Sequence, residues 1–389
     1  MKQKLTNYLK YNKYLYFIFY HLMSLLINIL KLFIEPDDKL ILFNSFAGRS
    51  FNDSPKAIYD YMLSDSRFKE YKLIWAFHNP EKYDGVASIR TDSMSYFRNV
   101  LAARVWVTNS SFERGLNFTG KNTLYFNTWH GTPMKKMGTD IVSENTSFGT
   151  KGDSHIDVLM SQGKYETDIF SRCFGIEKEK ILEVGLPRND ILANYTDEQR
   201  NEIRRKFDIK DNQTVILYCP TFREYDKDKN YSVIMAPPIN FDKWRSKLGD
   251  DYIIFLRAHY EVSNIMDIRD SQFVHDMTNY ANINDLYIAS DILISDYSSV
   301  FFDYSITGKP MLHFTYDYEE YSSQRGLYFD VRQLLNGSNN EDDLIKVVLS
   351  TNRIDDKSIA FRDRFVDCYG HASKAAVNYI ANELGLVCN

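Results

Sequence analysis

The sequence predicts an α/β protein made of two similar halves, each with a parallel sheet. Its 389 residues are too many for one ordinary core and suit two domains of about 150 to 200 residues. Short apolar runs alternate with amphipathic stretches from residue 39 onward, as in parallel sheets with crossover helices. Glycine and proline interrupt this alternation between residues 185 and 210, which indicates the boundary between the halves.

The amino-terminal segment departs from this pattern. Four lysines, at positions 2, 4, 10 and 13, lead into an apolar run at residues 14–34. The run is nearly long enough to span a bilayer, which takes about 20 apolar residues. Its polar members fall on one narrow stripe of a helix: His21, Ser24, Asn28 and Lys31. A helix of this kind suits the plane of a membrane interface, and a transmembrane span or a buried helix are the alternatives.

Nine apolar runs predict the strands of the two sheets. In the first half they are residues 39–44, 71–77, 104–109, 123–129 and 157–162. In the second half they are residues 214–221, 251–259, 291–296 and 309–315. Ser54 followed by Pro55 predicts the N-cap and first position of a helix after the first strand.

The chain is therefore divided into four parts. An amino-terminal membrane-associating helix takes residues 1–36, and the first Rossmann-like domain takes residues 37–195. The second Rossmann-like domain takes residues 196–354. Helices at residues 355–389 close the chain and are expected to pack across both domains.

Composition and missing motifs exclude several function classes. The net charge of -5 argues against a general nucleic-acid binder, and the four cysteines form no C-x-x-C pair that would indicate a zinc site. Sequences typical of ATPases, zinc peptidases, serine hydrolases and dinucleotide-binding proteins are absent. The D-x-D at residues 226–228 lies in a hydrophilic run and is interpreted as a solvated loop, so no metal site is predicted.

Polar residues after the strands of the second half predict a phosphate site. Ser298 and Ser299 stand where a helix begins after a strand, and the free N–H groups and dipole of such a terminus attract anions. Arg257 and His259 lie just past another strand, on one face, and could hold a diphosphate together. Structural roles for these residues are the alternative, for example Ser298 as a simple helix cap.

Three further features belong to the same region. Thr221 and Arg223 repeat the strand-end arrangement in the stretch CPTFRE, and both are expected to bind the donor diphosphate. Asp296 ends the strand before the serine pair and either caps the helix or borders the site. Asp303 follows at helical spacing.

The stretch WHGTPMKKMG at residues 129–138 supplies a candidate base in the first half. A neutral imidazole at His130 can accept the proton of an attacking hydroxyl near neutral pH. Gly131 allows close approach of a ligand or backbone, and Lys135 and Lys136 can offset negative charge. A packed histidine with a satisfied hydrogen bond is the alternative.

Seven motifs in order resemble the CDP-glycerol glycerophosphotransferases, the teichoic acid primases and polymerases of Gram-positive bacteria. They are SFAGRSFNDSPKAIY (45–59), WHGTPMKKMG (129–138), GLPRND (185–190), CPTFRE (219–224), LRAH (256–259), SDYSSVFFDY (295–304) and RGLYFD (325–330). The resemblance covers residues 40 to 332 and implies a GT-B architecture, with two Rossmann-like domains facing a cleft. It also implies peripheral attachment to the cytoplasmic face of the membrane.

The resemblance implies an activity and assigns residues to it. The family moves glycerol phosphate from CDP-glycerol to a hydroxyl of an acceptor, a disaccharide or polymer carried on undecaprenyl diphosphate, and releases CMP. No cofactor is expected. His130 matches the histidine of H-G-T-P, proposed as the base. The R-x-H and D-Y-S-S elements, associated with the donor diphosphate, are matched by Arg257, His259, Ser298 and Ser299. Asp303 matches a recurring acid whose role is left open.

Several alternatives stay open. Family polymerases often carry a further amino-terminal domain, so a primase-like enzyme is expected. CDP-ribitol or another CDP-polyol is a rival donor, since the diphosphate motifs do not detect polyol length. A GT-B glycosyltransferase and a non-catalytic membrane-bound scaffold are more distant readings. The oligomeric state is left open, a homo-oligomer included, and the residue that orients His130 is sought among Asp140, Asp153 and Asp157.

Overall fold

A computed structural model describes residues 13–141, 155–221, 223, 237–258 and 271–386. In this part of the chain it confirms the predicted class, with two sheets whose strand pairs are all parallel. The first sheet, in the order β3-β2-β1-β4-β5-β6-β7, contains β1 (Asp37–Asn44), β2 (Lys72–Phe77), β3 (Ser88–Arg90), β4 (Ala103–Thr108), β5 (Leu124–Asn127), β6 (Val158–Ser161) and β7 (Ile181–Glu183). The second, in the order β10-β9-β8-β11-β12-β13, contains β8 (Thr214–Cys219), β9 (Tyr252–Leu256), β10 (Val274–Asp276), β11 (Ile292–Ser295), β12 (Met311–Phe314) and β13 (Asn336–Ser338).

Helices cover both sheets. They are α1 (Lys13–Leu32), α2 (Asp53–Ser64), α3 (Met94–Ala102), α4 (Lys164–Phe174), α5 (Asp190–Asn194), α6 (Asp197–Lys206), α7 (Phe241–Leu248), α8 (Ile283–Ala289), α9 (Val300–Ser305), α10 (Tyr318–Arg325), α11 (Glu341–Ser350), α12 (Asp356–Phe365) and α13 (Ala372–Glu383). The predicted helix start at Ser54 is wrong by two residues, since Asn52 is the N-cap of α2 and Ser54 is buried in its first turn.

Each sheet has a topological switch point, where the connections that follow two neighbouring strands lead to opposite sides of the sheet. These points lie between β1 and β4 in the first lobe and between β8 and β11 in the second. Open α/β sheets bind ligands in the crevice outside the carboxyl ends of the strands at such points. The strand order therefore places the ends of β4 and β11, and the loops that follow them, at the positions where a ligand crevice is expected.

The two closing helices pack on different lobes. Phe361 and Phe365 of α12 lie in the core of the second lobe, with Phe301 and Phe302 of α9. The apolar face of α13 lies instead in the core of the first lobe, beside α2. The chain thus returns from the second lobe to the first at its carboxyl end, which fastens the lobes together.

Helix α1 lies on the first lobe, and three of the four residues of its polar stripe form hydrogen bonds to that lobe. Ser24 Oγ accepts a hydrogen bond from the backbone N–H of Asn117 (2.9 Å), and Asn28 Nδ2 donates to the carbonyl of Asn117 (2.9 Å). Lys31 Nζ donates to Thr119 Oγ1 (2.8 Å). The stripe therefore contacts the protein through these three side chains, whereas its fourth member, His21, is exposed.

The outward side of α1 is apolar. Large apolar side chains exposed there are Tyr14, Leu15, Phe17, Ile18, Phe19, Leu22, Leu25, Leu26, Ile29 and Leu32. Ile27 is 4% exposed and packs on the inner side, in the core of the first lobe. By length and composition alone, the stretch Tyr14–Leu32 is apolar enough to cross a membrane. Its docking on the lobe leaves an extended apolar face exposed, of the kind that marks an interaction site.

Candidate active site

His130 follows β5 and is held by the backbone of the neighbouring strand. Its Nδ1 lies 2.7 Å from the carbonyl oxygen of Asn109, which directly follows β4. A carbonyl only accepts hydrogen bonds, so Nδ1 carries the proton and the neutral ring presents Nε2 as the basic atom. The side chain remains exposed to solvent. This is the tautomer that a general base on the Nε2 side requires.

The surroundings of His130 favour the neutral imidazole. Partial removal of water by the surrounding protein lowers the pKa of His130, and the nearby charge of Arg188 lowers it further. The Asn109 carbonyl and the charge of Asp53 oppose this shift. The ring is therefore neutral, and able to accept a proton, at neutral pH.

Gly131 brings the two lobes into contact. A Cβ atom at this position would stand 2.9 Å from Ser299 Oγ and 3.1 Å from Ser299 Cβ. A side chain at this position would force Ser299 of the second lobe to move. The histidine predicted from the first half and the serine predicted from the second half therefore border the same gap.

The serine pair lies where the sequence placed it. Strand β11 ends at Ser295, and Ser299 is the N-cap of α9. Both serines are partly exposed, and Ser298 Oγ accepts a long hydrogen bond from the backbone N–H of Val300 (3.4 Å). Ser298 and Ser299 therefore present hydroxyl groups at the carboxyl edge of the second sheet.

Arg223 occupies a buried cage instead of the open cleft. Its side chain is 2% exposed and pairs with Asp296 (Nη1 to Oδ2, 2.9 Å) and Asp317 (Nε to Oδ2, 2.6 Å). Three tyrosine rings lie within 5.2 Å of the guanidinium carbon: Tyr297, Tyr316 and Tyr321. Burial works against the charge, yet the two carboxylates raise the pKa of Arg223 above its usual value. Contrary to the expectation of direct diphosphate contact, this arginine is committed to internal partners.

Asp296 and Thr221 border the same cage. Asp296 is 2% exposed, and its Oδ1 accepts hydrogen bonds from the backbone N–H groups of Thr221 (2.9 Å) and Tyr297 (2.7 Å). Its alternative role as a cap of the strand-to-helix turn is the one that this geometry favours. Thr221 Oγ1 is buried and has no hydrogen-bond partner among the described residues. This hydroxyl is a donor that a ligand could use.

Arg257 lies just past β9, as predicted, and is partly exposed. Its Nη1 donates to the carbonyl oxygens of Met277 (2.8 Å) and Tyr280 (2.6 Å). These bonds hold the guanidinium at the carboxyl edge of the second sheet. His259, its predicted companion, lies outside the described residues, as does the D-x-D at residues 226–228.

Lys135 and Lys136 lie in a backbone bridge between the lobes. Lys135 pairs with Leu327 as an antiparallel β-bridge, and the N–H of Lys136 donates to the carbonyl of Gly326 (3.1 Å). The ammonium of Lys135 lies 5.8 Å from the ring centre of Tyr321. The motif that contains His130 is thereby joined to the motif RGLYFD of the second half.

A buried ion cluster joins the lobes behind this contact. Arg188 lies between Asp53 (Nη1 to Oδ2, 3.1 Å) and Asp303 (Nη2 to Oδ2, 2.9 Å), and each of the three side chains is at most 11% exposed. Asn189 also donates to Asp303 (2.7 Å). Burial raises the pKa of Asp303, although Arg188 and Asn189 oppose the shift. Asp303 therefore lies in the joint between the lobes, whereas Ser299 faces the gap.

A buried polar network continues beneath the segment that follows His130. Gln162 donates from Nε2 to Thr132 Oγ1 (2.7 Å) and accepts at Oε1 from Asn189 Nδ2 (3.1 Å). Glu166 is fully buried, and its Oε2 accepts from the N–H of Gln162 (2.5 Å). Burial raises the pKa of Glu166 to about 7, although hydrogen bonds to its carboxylate oppose the shift.

The acids considered as orienting groups for His130 have other partners. Asp140 pairs with Arg172 (2.6 Å), and Asp157 Oδ2 accepts from the backbone N–H of Tyr125 (2.8 Å). Asp153 lies outside the described residues. The orienting group is instead the carbonyl of Asn109, which sequence reasoning missed. Its place directly after β4, beside the strand that leads to His130, was the available signal.

No cluster of three or more histidine, cysteine or acidic side chains suited to a metal occurs in the part of the chain that the structure describes. The polar groups at the gap are the imidazole of His130 and the hydroxyl of Ser299, and Ser298 precedes Ser299 in sequence. Groups of this kind suit proton transfer and phosphate binding.

Comparisons with known proteins bear on this arrangement. The family model for CDP-glycerol:poly(glycerophosphate) glycerophosphotransferases matches residues 26–382. The teichoic acid glycerol-phosphate transferase of Staphylococcus aureus is 35% identical over 318 residues, which cover 78% of this chain and 80% of that protein. The teichoic acid poly(glycerol phosphate) polymerase of Bacillus spizizenii is 33% identical over 367 residues, 88% of this chain and 91% of that protein.

Another relative is longer than this chain. The teichoic acid poly(glycerol phosphate) polymerase of Staphylococcus epidermidis is 36% identical over 315 residues, and this alignment spans only 43% of its length. Among solved structures, a histidine-to-asparagine variant of the wall teichoic acid polymerase TagF has a TM-score of 0.82 and 33% identity, with 90% of each chain covered. The same TagF variant after a 30-minute soak with CDPG has a TM-score of 0.80. The chain therefore belongs to the CDP-glycerol:poly(glycerophosphate) glycerophosphotransferase family, a family of transferases of teichoic acid synthesis.

Proposed function

We propose that this protein transfers glycerol phosphate from CDP-glycerol to a hydroxyl of an undecaprenyl-linked acceptor in wall teichoic acid synthesis, and that it releases CMP. Family membership and the TagF-like fold support the donor and the reaction class. The observation that carries the mechanism is the meeting of His130 and Ser299 at one gap, through the contact at Gly131. An imidazole from the first lobe thereby faces a phosphate-binding edge on the second.

In this proposal, His130 is the general base. The acceptor hydroxyl attacks the β-phosphorus of CDP-glycerol in line, and its proton passes to Nε2 of His130. The bond from the β-phosphorus to the bridging oxygen breaks, and its electron pair leaves with CMP. Because phosphoryl transfer depends mainly on positioning and electrostatics, the protein needs few reacting groups of its own.

The donor diphosphate is assigned to the carboxyl edge of the second sheet. Ser298, Ser299 and the unpartnered hydroxyl of Thr221 supply hydrogen-bond donors, and Arg257 supplies positive charge, with His259 beside it in sequence. Arg223 takes an indirect part because it holds Asp296, which shapes the turn that presents the serines. No cofactor and no metal ion enter this scheme.

The membrane surface is assigned to the outward face of α1. The relatives are enzymes of teichoic acid synthesis, and the exposed apolar side chains of α1 suit burial in the interfacial region of a bilayer. The proposal places the protein on the cytoplasmic face, where CDP-glycerol is available, as a monotopic enzyme. A lipid-linked acceptor would then reach the gap from the membrane side.

A test of the base compares two variants. General-base assistance is worth about 100- to 10,000-fold in rate, so His130→Ala should reduce CMP release by that order while the affinity for CDP-glycerol stays nearly unchanged. Arg257→Ala is the matched variant and should weaken CDP-glycerol binding, measured by calorimetry. Full CMP release by His130→Ala would refute the proposed base.

Donor and product length are tested together. The enzyme would be incubated with a lipid-linked disaccharide and either CDP-glycerol or CDP-ribitol, and the products weighed by mass spectrometry. We expect turnover with CDP-glycerol and a short product, as in a primase. Products that carry many added units would show a polymerase in place of a primase-like enzyme. A preference for CDP-ribitol would show that CDP-ribitol is the donor.

A further inference from the structure

The imidazole of His130 lies between two aromatic side chains. The ring of Trp129 stacks on it, with centroids 4.4 Å apart and planes inclined by 27°. The ring of Phe46 meets it edge-on, with centroids 6.0 Å apart and planes inclined by 60°. Both distances are typical of interacting aromatic rings. Together with the bond from Nδ1 to Asn109, these contacts leave the imidazole little freedom to turn.

Both aromatic residues have an uncommon backbone conformation. Trp129 has φ 54° and Phe46 has φ 49°, in the left-handed region that bulky side chains rarely adopt. Adjacent residues of an extended chain point to opposite sides, so Trp129 and His130 could not stack if the strand continued. The left-handed turn at Trp129 breaks this alternation, as stacking of the two neighbouring rings requires.

Other parts of the first lobe hold these two residues in place. The N–H of Phe46 donates to Asn109 Oδ1 (2.7 Å), so Asn109 anchors both the Phe46 loop and, through its carbonyl, the imidazole. The indole of Trp129 also packs against Phe170 and Phe174, with centroids 5.5 and 4.9 Å away. Backbone strain persists only where the surroundings over-determine it, and it gathers at functional sites.

We propose that Trp129, assisted by Phe46, is a positioning residue for the base, which keeps Nε2 of His130 directed at the acceptor hydroxyl and stabilises the imidazolium that forms. This inference rests on the proposed function. When the proton passes from the hydroxyl to Nε2, the ring gains a positive charge against the face of the indole. A cation at such a face is attracted by the ring quadrupole.

The charged groups around the imidazole do not supply this stabilisation alone. Asp53 favours the protonated ring and Arg188 disfavours it, and the two are paired with each other at 3.1 Å. Their effects on the imidazolium therefore partly cancel. The Asn109 carbonyl favours the imidazolium through Nδ1, and the indole adds an electron-rich face that stacks on the ring.

The test uses two substitutions at one position. Trp129→Leu removes the π face, and we expect kcat to fall about 5- to 30-fold with KM for CDP-glycerol changed less than twofold. Trp129→Phe keeps an aromatic face and should retain kcat within about threefold. The acid limb of the kcat–pH profile should move to lower pH in Trp129→Leu, because the imidazolium loses its stabilising neighbour. An unchanged kcat, or an acid limb that moves to higher pH, would overturn the proposal.

Two controls separate this role from folding and from the base itself. Asp208→Gly changes another left-handed residue (φ 56°), in the second lobe, and should leave kcat unchanged. If Trp129→Leu does not fold, Phe46→Leu should still lower kcat severalfold with KM unchanged. Because Trp129 acts through the imidazole, adding Trp129→Leu to His130→Ala should cause little further loss. Independent, multiplicative losses would overturn this inference alone, whereas a fully active His130→Ala would overturn the proposed base.

Discussion

The buried acid Glu166 gives a prediction that can be worked from the structure. Its side chain is 0% exposed, and its carboxylate meets the backbone N–H of Gln162 at Oε2 and the side chain of Thr132. Burial raises its pKa from 4.5 to about 7. A glutamine at this position would keep the acceptor and would never ionise, so Glu166→Gln isolates the cost of the buried negative charge.

The sign of the effect follows from proton linkage. Between pH 4.5 and about 7 the folded protein binds the proton that the unfolded chain has already lost, so this group makes the fold less stable as the pH rises. Each pH unit of difference is worth about 1.4 kcal/mol, so the cost reaches about 3 kcal/mol above pH 7. At pH 4.5 and below, the group contributes little.

The assay is urea unfolding of the wild type and Glu166→Gln at pH 5 and pH 8, followed by tryptophan fluorescence. We expect the variant to be more stable by about 2 to 3 kcal/mol at pH 8 and by less than about 1 kcal/mol at pH 5. The exposed Glu202, changed to glutamine, serves as the control and should show no such trend. Two results would refute the reasoning: a stability difference between variant and wild type that is the same at both pH values, or a wild type that is more stable than the variant at pH 8.

Two other changes probe the gap and the apolar helix. Gly131→Ala would place a methyl group about 3 Å from Ser299, and we expect turnover to fall about tenfold or more because Ser299 must shift from its position at the gap; unchanged turnover would mean that this close contact is absent in the working enzyme. Leu22→Asp combined with Leu25→Asp should abolish co-sedimentation with anionic phospholipid vesicles, whereas the equally exposed Leu63→Asp, on α2, should leave it intact. Retained co-sedimentation of the double variant would argue against α1 as the membrane contact.

The strands show how much of the fold can be predicted from the pattern of apolar residues. All nine predicted strands are present, and the further strands in the described residues are β3, β7, β10 and β13. These four have three residues each and form the outer edges of the two sheets. An edge strand has a single neighbour and needs no long apolar run, so its sequence carries little of the signal that marks a central strand.

At the site, contacts between residues far apart in the sequence limited what could be predicted. His130 and Ser299 were each predicted from a local pattern, at the end of a strand and at the start of a helix. Arg223 also follows a strand, and by that local pattern it resembled the other site residues. In the structure it pairs instead with Asp317, which lies 94 residues further along the chain, inside the protein. The polar stripe of α1 was identified correctly as a stripe, but its direction depends on the loop that contains Asn117. Local patterns do not encode such partners.

The docking of α1 restricts how the molecule can move relative to any surface that it rests on. A helix tied to the lobe by Ser24, Asn28 and Lys31, with Ile27 inserted in the core, cannot swing like a flexible tether. The folded chain itself then fixes the height and tilt of the first lobe above that surface. It thereby also fixes the distance between the surface and His130, which a substrate must cover.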